Sequence, residues 1–141
     1  MIRDVNKIPE LLNALPKEKE QILRKAGAFL EGAIKQKITQ GDPSWPPLKP
    51  ETIKRKGSSK PLIDTGKLRA SITHKVEDDK ALVGIFSGEA LNYAAVHEFG
   101  APRKNIPERS YLRKTFDEKK DEIERLIDAE IEKVIRRHTI R

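Results

Sequence analysis

The chain has no cysteine, three histidines, one tryptophan, two tyrosines and four phenylalanines in 141 residues. The missing thiols exclude a disulfide framework and any thiolate metal site. The histidines, His74, His97 and His138, are too scattered to predict a metal centre. With so few aromatics, the core must be built mainly from Leu, Ile, Val and Ala. No apolar run approaches the ~20 residues needed to cross a bilayer. Charges at Asp4, Lys7 and Glu10 interrupt the N-terminal stretch, so a secretory signal is not expected there. Gly-rich phosphate loops, nucleophile elbows, internal repeats and low-complexity tracts are also missing. The expectation is a soluble, intracellular protein of one domain, 1–141, that makes no membrane contact.

Charge is plentiful, at 36% of residues and a formal net +7. Much of the excess lies in two loops. Between Lys49 and Lys75 stand Lys49, Lys54, Arg55, Lys56, Lys60, Lys67, Arg69 and Lys75 against Glu51 and Asp64. A second patch holds Arg103, Lys104, Arg109, Arg113 and Lys114 against Glu108. Such a field suits a polyanionic neighbour, either nucleic acid or an acidic protein face, although it also serves solubility.

Hydrophobic spacing predicts two long amphipathic helices around a β-hairpin. A short helix is expected near Ile8–Leu12, with a new start at Pro16. From Lys17 to Thr39, residues Ile22, Leu23, Ala26, Phe29, Leu30, Ala33, Ile34 and Ile38 form one stripe at helical spacing. Gly41-Asp42-Pro43 should stop it. Three prolines within Pro46–Pro50 exclude a regular element there, and Trp45 beside them should either plug the edge of the core or serve as a contact residue at an interface. One or two helical turns are expected over Pro50–Lys56.

Asp64 and Thr65 are good helix caps, predicting a tight turn and a short helix holding Leu68. A strand should begin near Ala70, with Ile72, His74 and Val76 on one face. Asp78-Asp79-Lys80 turns the chain into a more apolar partner strand, Ala81–Phe86. A short helix over Asn92–Phe99 should end at Gly100, with Tyr93, Val96 (or Ala95) and Phe99 facing one way. The last helix runs from Leu112 to Arg137 on Leu112, Phe116, Ile123, Ile127, Ile131 and Val134, with Leu126 and Ile135 beside them.

Two motifs suggest chemistry. Leu62-Ile63-Asp64-Thr65-Gly66 matches the signature of retroviral-type aspartic proteases, in which two such loops share a proton between carboxylates. That reading needs a β-rich surrounding, whereas long helices flank the loop here. Lys67 and Arg69 would also depress the aspartate instead of favouring a shared proton. A capping turn explains the same residues. His97-Glu98 begins a zincin-like helix, but the second histidine would fall at Ala101.

The ordered series Trp45-x-Pro47-Leu48-Lys49-x-x-Thr52, Leu62-Ile63-Asp64-Thr65-Gly66-x-Leu68-x-x-Ser71-Ile72, Val83-Gly84, Tyr93-Ala94-x-Val96-His97-x-Phe99-Gly100 and Ile106-Pro107-x-Arg109-x-x-Leu112 resembles the phage virion morphogenesis, or tail-completion, family of tailed phages and prophages. Glu98 stands where that pattern suggests Gln, and Glu108 where it suggests a small residue. The resemblance implies an α+β fold with a small antiparallel sheet packed by long helices. It also implies a structural role in the neck or tail of the virion after assembly in the host cytoplasm, in a homo-oligomeric ring among other tail and neck proteins. It brings no catalytic residue and no cofactor. The implied structural or assembly residues are Trp45, Leu48, Asp64, Thr65, Gly66, Leu68, Tyr93, His97, Phe99, Gly100, Pro107 and Arg109. Asp64 and Gly66 would fix the turn, while His97 and Arg109 would tie loops together. Lys49, Lys54, Arg55, Lys56, Lys60, Arg103 and Lys104 are candidates for contact with partners or DNA.

Overall fold

The computed structural model describes residues 8–56 and 66–137, with side chains over 15–54 and 66–137. Asp64, Thr65 and Lys60 therefore lie outside the described residues, and so does the expected cap of the central turn. The side chains of Arg55 and Lys56 fall outside as well.

The elements run α1 (Ile8–Gln40), α2 (Pro50–Lys56), α3 (Lys67–Ser71), β1 (Thr73–Glu77), β2 (Lys80–Gly84), α4 (Leu91–Phe99), a single 3-10 turn (Pro102–Lys104) and α5 (Arg113–Arg137). The fold is α+β, a two-stranded antiparallel sheet packed against long helices. At 1.5 Å per residue α1 spans ~50 Å, and the hairpin and α5 both pack on it.

The chain does not break at Pro16, which lies within one continuous helix. A proline removes one backbone hydrogen bond from a helix interior. It falls here in the first third of a helix whose later turns carry buried Ala26, Ile34 and Ile38, and tertiary packing of that kind outweighs local propensity. Past Gln40 the stop is as expected: Gly41 takes φ 78°, and its amide donates to the Lys37 carbonyl at 2.8 Å.

The hairpin pairs Thr73 with Gly84 through Glu77 with Lys80. Asp78 and Asp79 have φ of 51° and 60°. They form the tight two-residue turn whose twist suits a hairpin, so Lys80 belongs to the strand and not to the turn. β1 starts at Thr73 because Lys67–Ser71 is still helical, and β2 ends at Gly84, short of Phe86. Gly27 lets β1 approach α1 closely, since a Cβ there would come within 3.0 Å of the His74 ring. Beside it, His74 Nδ1 lies 2.8 Å from Glu31 Oε1.

The buried core comprises Ile34, Ile38, Trp45, Leu68, Ile72, Ala94 and Tyr111. It gathers where the C-terminal end of α1 meets α3, α4 and the residues leading into α5. Trp45 plugs this cluster, the first of its two expected places. Further along, α1 and α5 run antiparallel, with ion pairs Lys37–Glu118, Lys25–Glu130 and Glu18–Arg137 whose residue numbers share one sum, as a straight register demands. The α5 stripe differs from expectation in part. Phe116, Ile131 and Ile135 remain more than a third exposed, while Thr115 is buried with its hydroxyl donating to the Tyr111 carbonyl.

Gly100 closes α4 at φ 76° and ψ 171°, a region open essentially to glycine alone. A Cβ there would lie 2.8 Å from the Glu108 amide nitrogen. Replacing Gly100 with Ala should therefore lower the unfolding free energy by roughly 2–4 kcal/mol, measured by urea denaturation. An unchanged midpoint would refute this account of the α4 terminus.

Candidate assembly site

Helix α4 decides which residues face the core and which face outward. Its inner row is Ala90, Ala94 and Glu98, at four-residue spacing and all buried. The adjacent row holds Tyr93 and His97, whose rings meet edge to face at 5.7 Å. Phe99, expected to face the same way as Tyr93 and Val96 (or Ala95), is 60% exposed, and the Arg113 guanidinium lies over its ring at 4.4 Å. The inward place belongs to Glu98, which is 2% exposed.

A buried carboxylate needs donors, and Glu98 finds them at the start of α5. Its Oε1 accepts the Tyr111 amide at 3.0 Å and the Leu112 amide at 2.7 Å. Its Oε2 accepts the Ser110 hydroxyl at 2.6 Å, the Arg113 amide at 3.2 Å and Arg113 Nε at 2.7 Å. A helix start presents amides with no partner inside the helix and a partial positive charge. Glu98 satisfies both from another element. Burial pushes its carboxyl pKa up, but the bonds from Ser110, Arg113 and the Leu112 and Arg113 amides outweigh this, and the pKa falls below the ordinary value. Arg113 also pairs with Glu108. The two positions that depart from the family pattern, 98 and 108, thus meet on one guanidinium.

Asp42 makes a second junction just past α1. Its side chain is 6% exposed and accepts Lys114 Nζ and Lys37 Nζ, each at 2.8 Å, with the Ser44 hydroxyl at 2.6 Å. Lys37 also reaches Glu118 on α5. The Lys114, Lys37 and Ser44 contacts hold the Asp42 carboxyl well below the usual carboxylate range. Arg109 makes a third junction: Nε and Nη2 both donate to the Pro46 carbonyl, at 3.1 and 2.7 Å, and its amide donates to the His97 carbonyl. Tyr111 is fully buried, and its hydroxyl donates to the Ala94 carbonyl at 2.8 Å.

These junctions frame an open groove of about 1200 Å³. Leu48, Gly66, Leu68, Tyr93, His97, Phe99, Gly100, Pro107 and Arg109 all line it, together with Lys49. Trp45 is not on its wall but lies in the core. Gly66, at φ 81°, leads into α3. Lys54 is exposed on α2; Arg103 and Lys104 are exposed between the lining residues Pro102 and Asn105. Arg109 ties the Pro46 loop to the loop before α5, as expected of it. His97 contributes a carbonyl to the same tie and an aromatic face to the groove. Among the described residues no group of three or more His, Asp or Glu could hold a metal, and no helix is long and apolar enough to cross a membrane. Sequence reasoning missed Glu98 and Asp42 as junctions. Glu98 could have been found from its position four residues after Ala94 on a row otherwise of alanine; Asp42 gave no signal beyond its place in a helix stop.

A family model described as the phage virion morphogenesis family matches residues 2–136. The chain is similar to Mu-like prophage FluMu G protein 2 of Haemophilus influenzae, 31% identical over 89% of this chain and 92% of that protein. It is also similar to the uncharacterized protein MJ0331 of Methanocaldococcus jannaschii, 30% identical over 83% of this chain and 87% of that protein. No solved structure is a significant match.

Replacing Glu98 with Ala should destabilise the protein by roughly 3–5 kcal/mol, because buried amides and Arg113 lose their acceptor. Gln should cost less, roughly 1–3 kcal/mol, since its one carbonyl can keep the Tyr111 and Leu112 amides while the Arg113 bonds fail. Urea titrations of the two variants check this ordering. Acid dependence follows from the same groups. A carboxyl with a depressed folded-state pKa contributes stability that is full above the ordinary range near pH ~4–4.5 and is lost as pH falls toward the folded value. Stability should therefore decline below that range, and the decline should be shallower in Glu98→Gln. An identical slope in both proteins would refute the assignment.

Proposed function

The chain belongs to the phage virion morphogenesis family, and from that premise we propose that it is a structural, non-catalytic component of virion assembly. It acts in tail completion and head–tail joining, as a neck or tail-terminator subunit arranged with copies of itself in a ring around the tail axis. Its partners are other tail and neck proteins, and its place is the virion.

The observation that supports this reading is that nine of the twelve motif residues line one groove. Arg109 ties the Pro46 loop, and Glu98 and Asp42 anchor the start of α5 to α4 and α1. Loops held this firmly present a surface at little entropic cost on binding. The groove rim is basic, with exposed Lys49, Arg103 and Lys104. In a ring, basic loops that reached the lumen would meet DNA through phosphate contacts that weaken with salt.

The basic rim also favours a second reading, a DNA-binding module that works alone. Tight, strongly salt-dependent retention of duplex DNA by the isolated protein on filters would support it.

The assembly role is tested by deleting the gene from the phage and imaging the lysate by electron microscopy. Heads and tails should appear separate, and the wild-type gene supplied in trans should rejoin them. Normally joined, infective particles without the protein would overturn the proposal.

A further inference from the structure

The groove has a basic rim; the acids that line it are already engaged, and Glu51 beside Lys49 has no ion-pair partner among the described residues. Glu89 pairs with Lys67 and Glu108 with Arg113. Lys49, Arg103 and Lys104 stay exposed, with no ion-pair partner among the described residues. The opposite charge lies elsewhere on the same chain. Along α5, Asp117, Asp121, Glu124 and Asp128 are all exposed, also with no ion-pair partner among the described residues. Their spacing of four, three and four puts them in one row of exposed positions, whose first member, Asp117, also borders a shallow pocket against α1 and β2, and Ile131 and Ile135 continue it at three and four. Lys120 and Arg125 stand beside the row without entering it. The remaining acids of α5 are spoken for within the chain: Glu118 by Lys37, Glu122 by Lys119, Glu130 by Lys25 and Glu132 by Arg136. The helix dipole accounts for acids in a first turn only, and α5 has none there.

We propose that the groove receives the outer face of α5 from a second copy of this chain. The inference rests on the reading of the protein as a self-assembling virion component. Apolar surface agrees with charge. Ile131 and Ile135 are 44% and 37% exposed, and the groove side offers Phe99 at 60%. Groove and helix face are different surfaces, so the contact runs head to tail. Each copy keeps one free groove and one free α5 until a ring closes. Two α5 faces could not pair with each other, because antiparallel they would set the isoleucines against Asp117 and Asp121 and parallel they would set acid against acid.

The test is a charge swap read by light scattering after gel filtration, with circular dichroism confirming that each variant is folded. The full-length protein should self-associate at low salt and dissociate as salt rises. Asp121→Lys with Asp128→Lys, and separately Lys49→Glu with Arg103→Glu, should each weaken association by more than about tenfold. Mixed in equal amounts, the two variants should assemble again, because every contact then joins opposite charges. A wild-type chain that stays monomeric at low salt, a variant that assembles as the wild type does, or a mixture that stays monomeric would each overturn the proposal. So would loop charges that bind a duplex oligonucleotide while self-association ignores them. Such a failure alongside separated heads and tails in the deletion phage would remove this contact and leave the assembly role standing.

Discussion

A carboxylate taken out of water keeps its charge only if enough donors surround it. Glu98 has them because the first amides of α5 point at it and Arg113 closes the remaining side. Much of the molecule hangs on this contact. It fixes where α5 begins and so sets the register of α5 along α1, and it holds α4 against the core. Beside it, Tyr111 sits fully buried with its hydroxyl on the Ala94 carbonyl, which pins the same two elements a second time through an apolar ring. The groove wall formed by Tyr93 and His97 is the adjacent row of the helix so held.

The architecture was legible where apolar spacing carries it. The stripes of α1 and α5, the stop at Gly41 and the hairpin all follow from period and turn chemistry. Other features depend on what lies opposite, and a single sequence does not show that. Pro16 resembles a helix start but is carried inside α1 by packing further along. Phe99 is exposed and Glu98 buried, although hydropathy ranks Phe for burial, because the facing surface is a helix start that calls for an anion. Likewise, Phe116 yields its place to Thr115, which can return its hydroxyl to a carbonyl.

The candidate site shows the same division. Nine of the twelve residues that the resemblance singled out line one groove, while Trp45 lies in the core and Asp64 and Thr65 fall outside the described residues. The junctions that hold the walls were not legible. Asp42 appeared to be part of a chain reversal, yet it collects Lys37 and Lys114 from two helices. Glu98 and Glu108 appeared as two unrelated departures from the pattern, and both proved to be partners of Arg113.

The ladder of ion pairs between α1 and α5 has a mechanical corollary. Exposed pairs of this kind stabilise little individually. Yet Glu18, Lys25 and Lys37 meet Arg137, Glu130 and Glu118 at a single offset. If α5 slid by one turn in either direction, Lys25 would face Leu126 or Val134 in place of an acid, and the Glu98 clasp would open. The two helices thus behave as one strut, whose length is set where α4 clasps the start of α5.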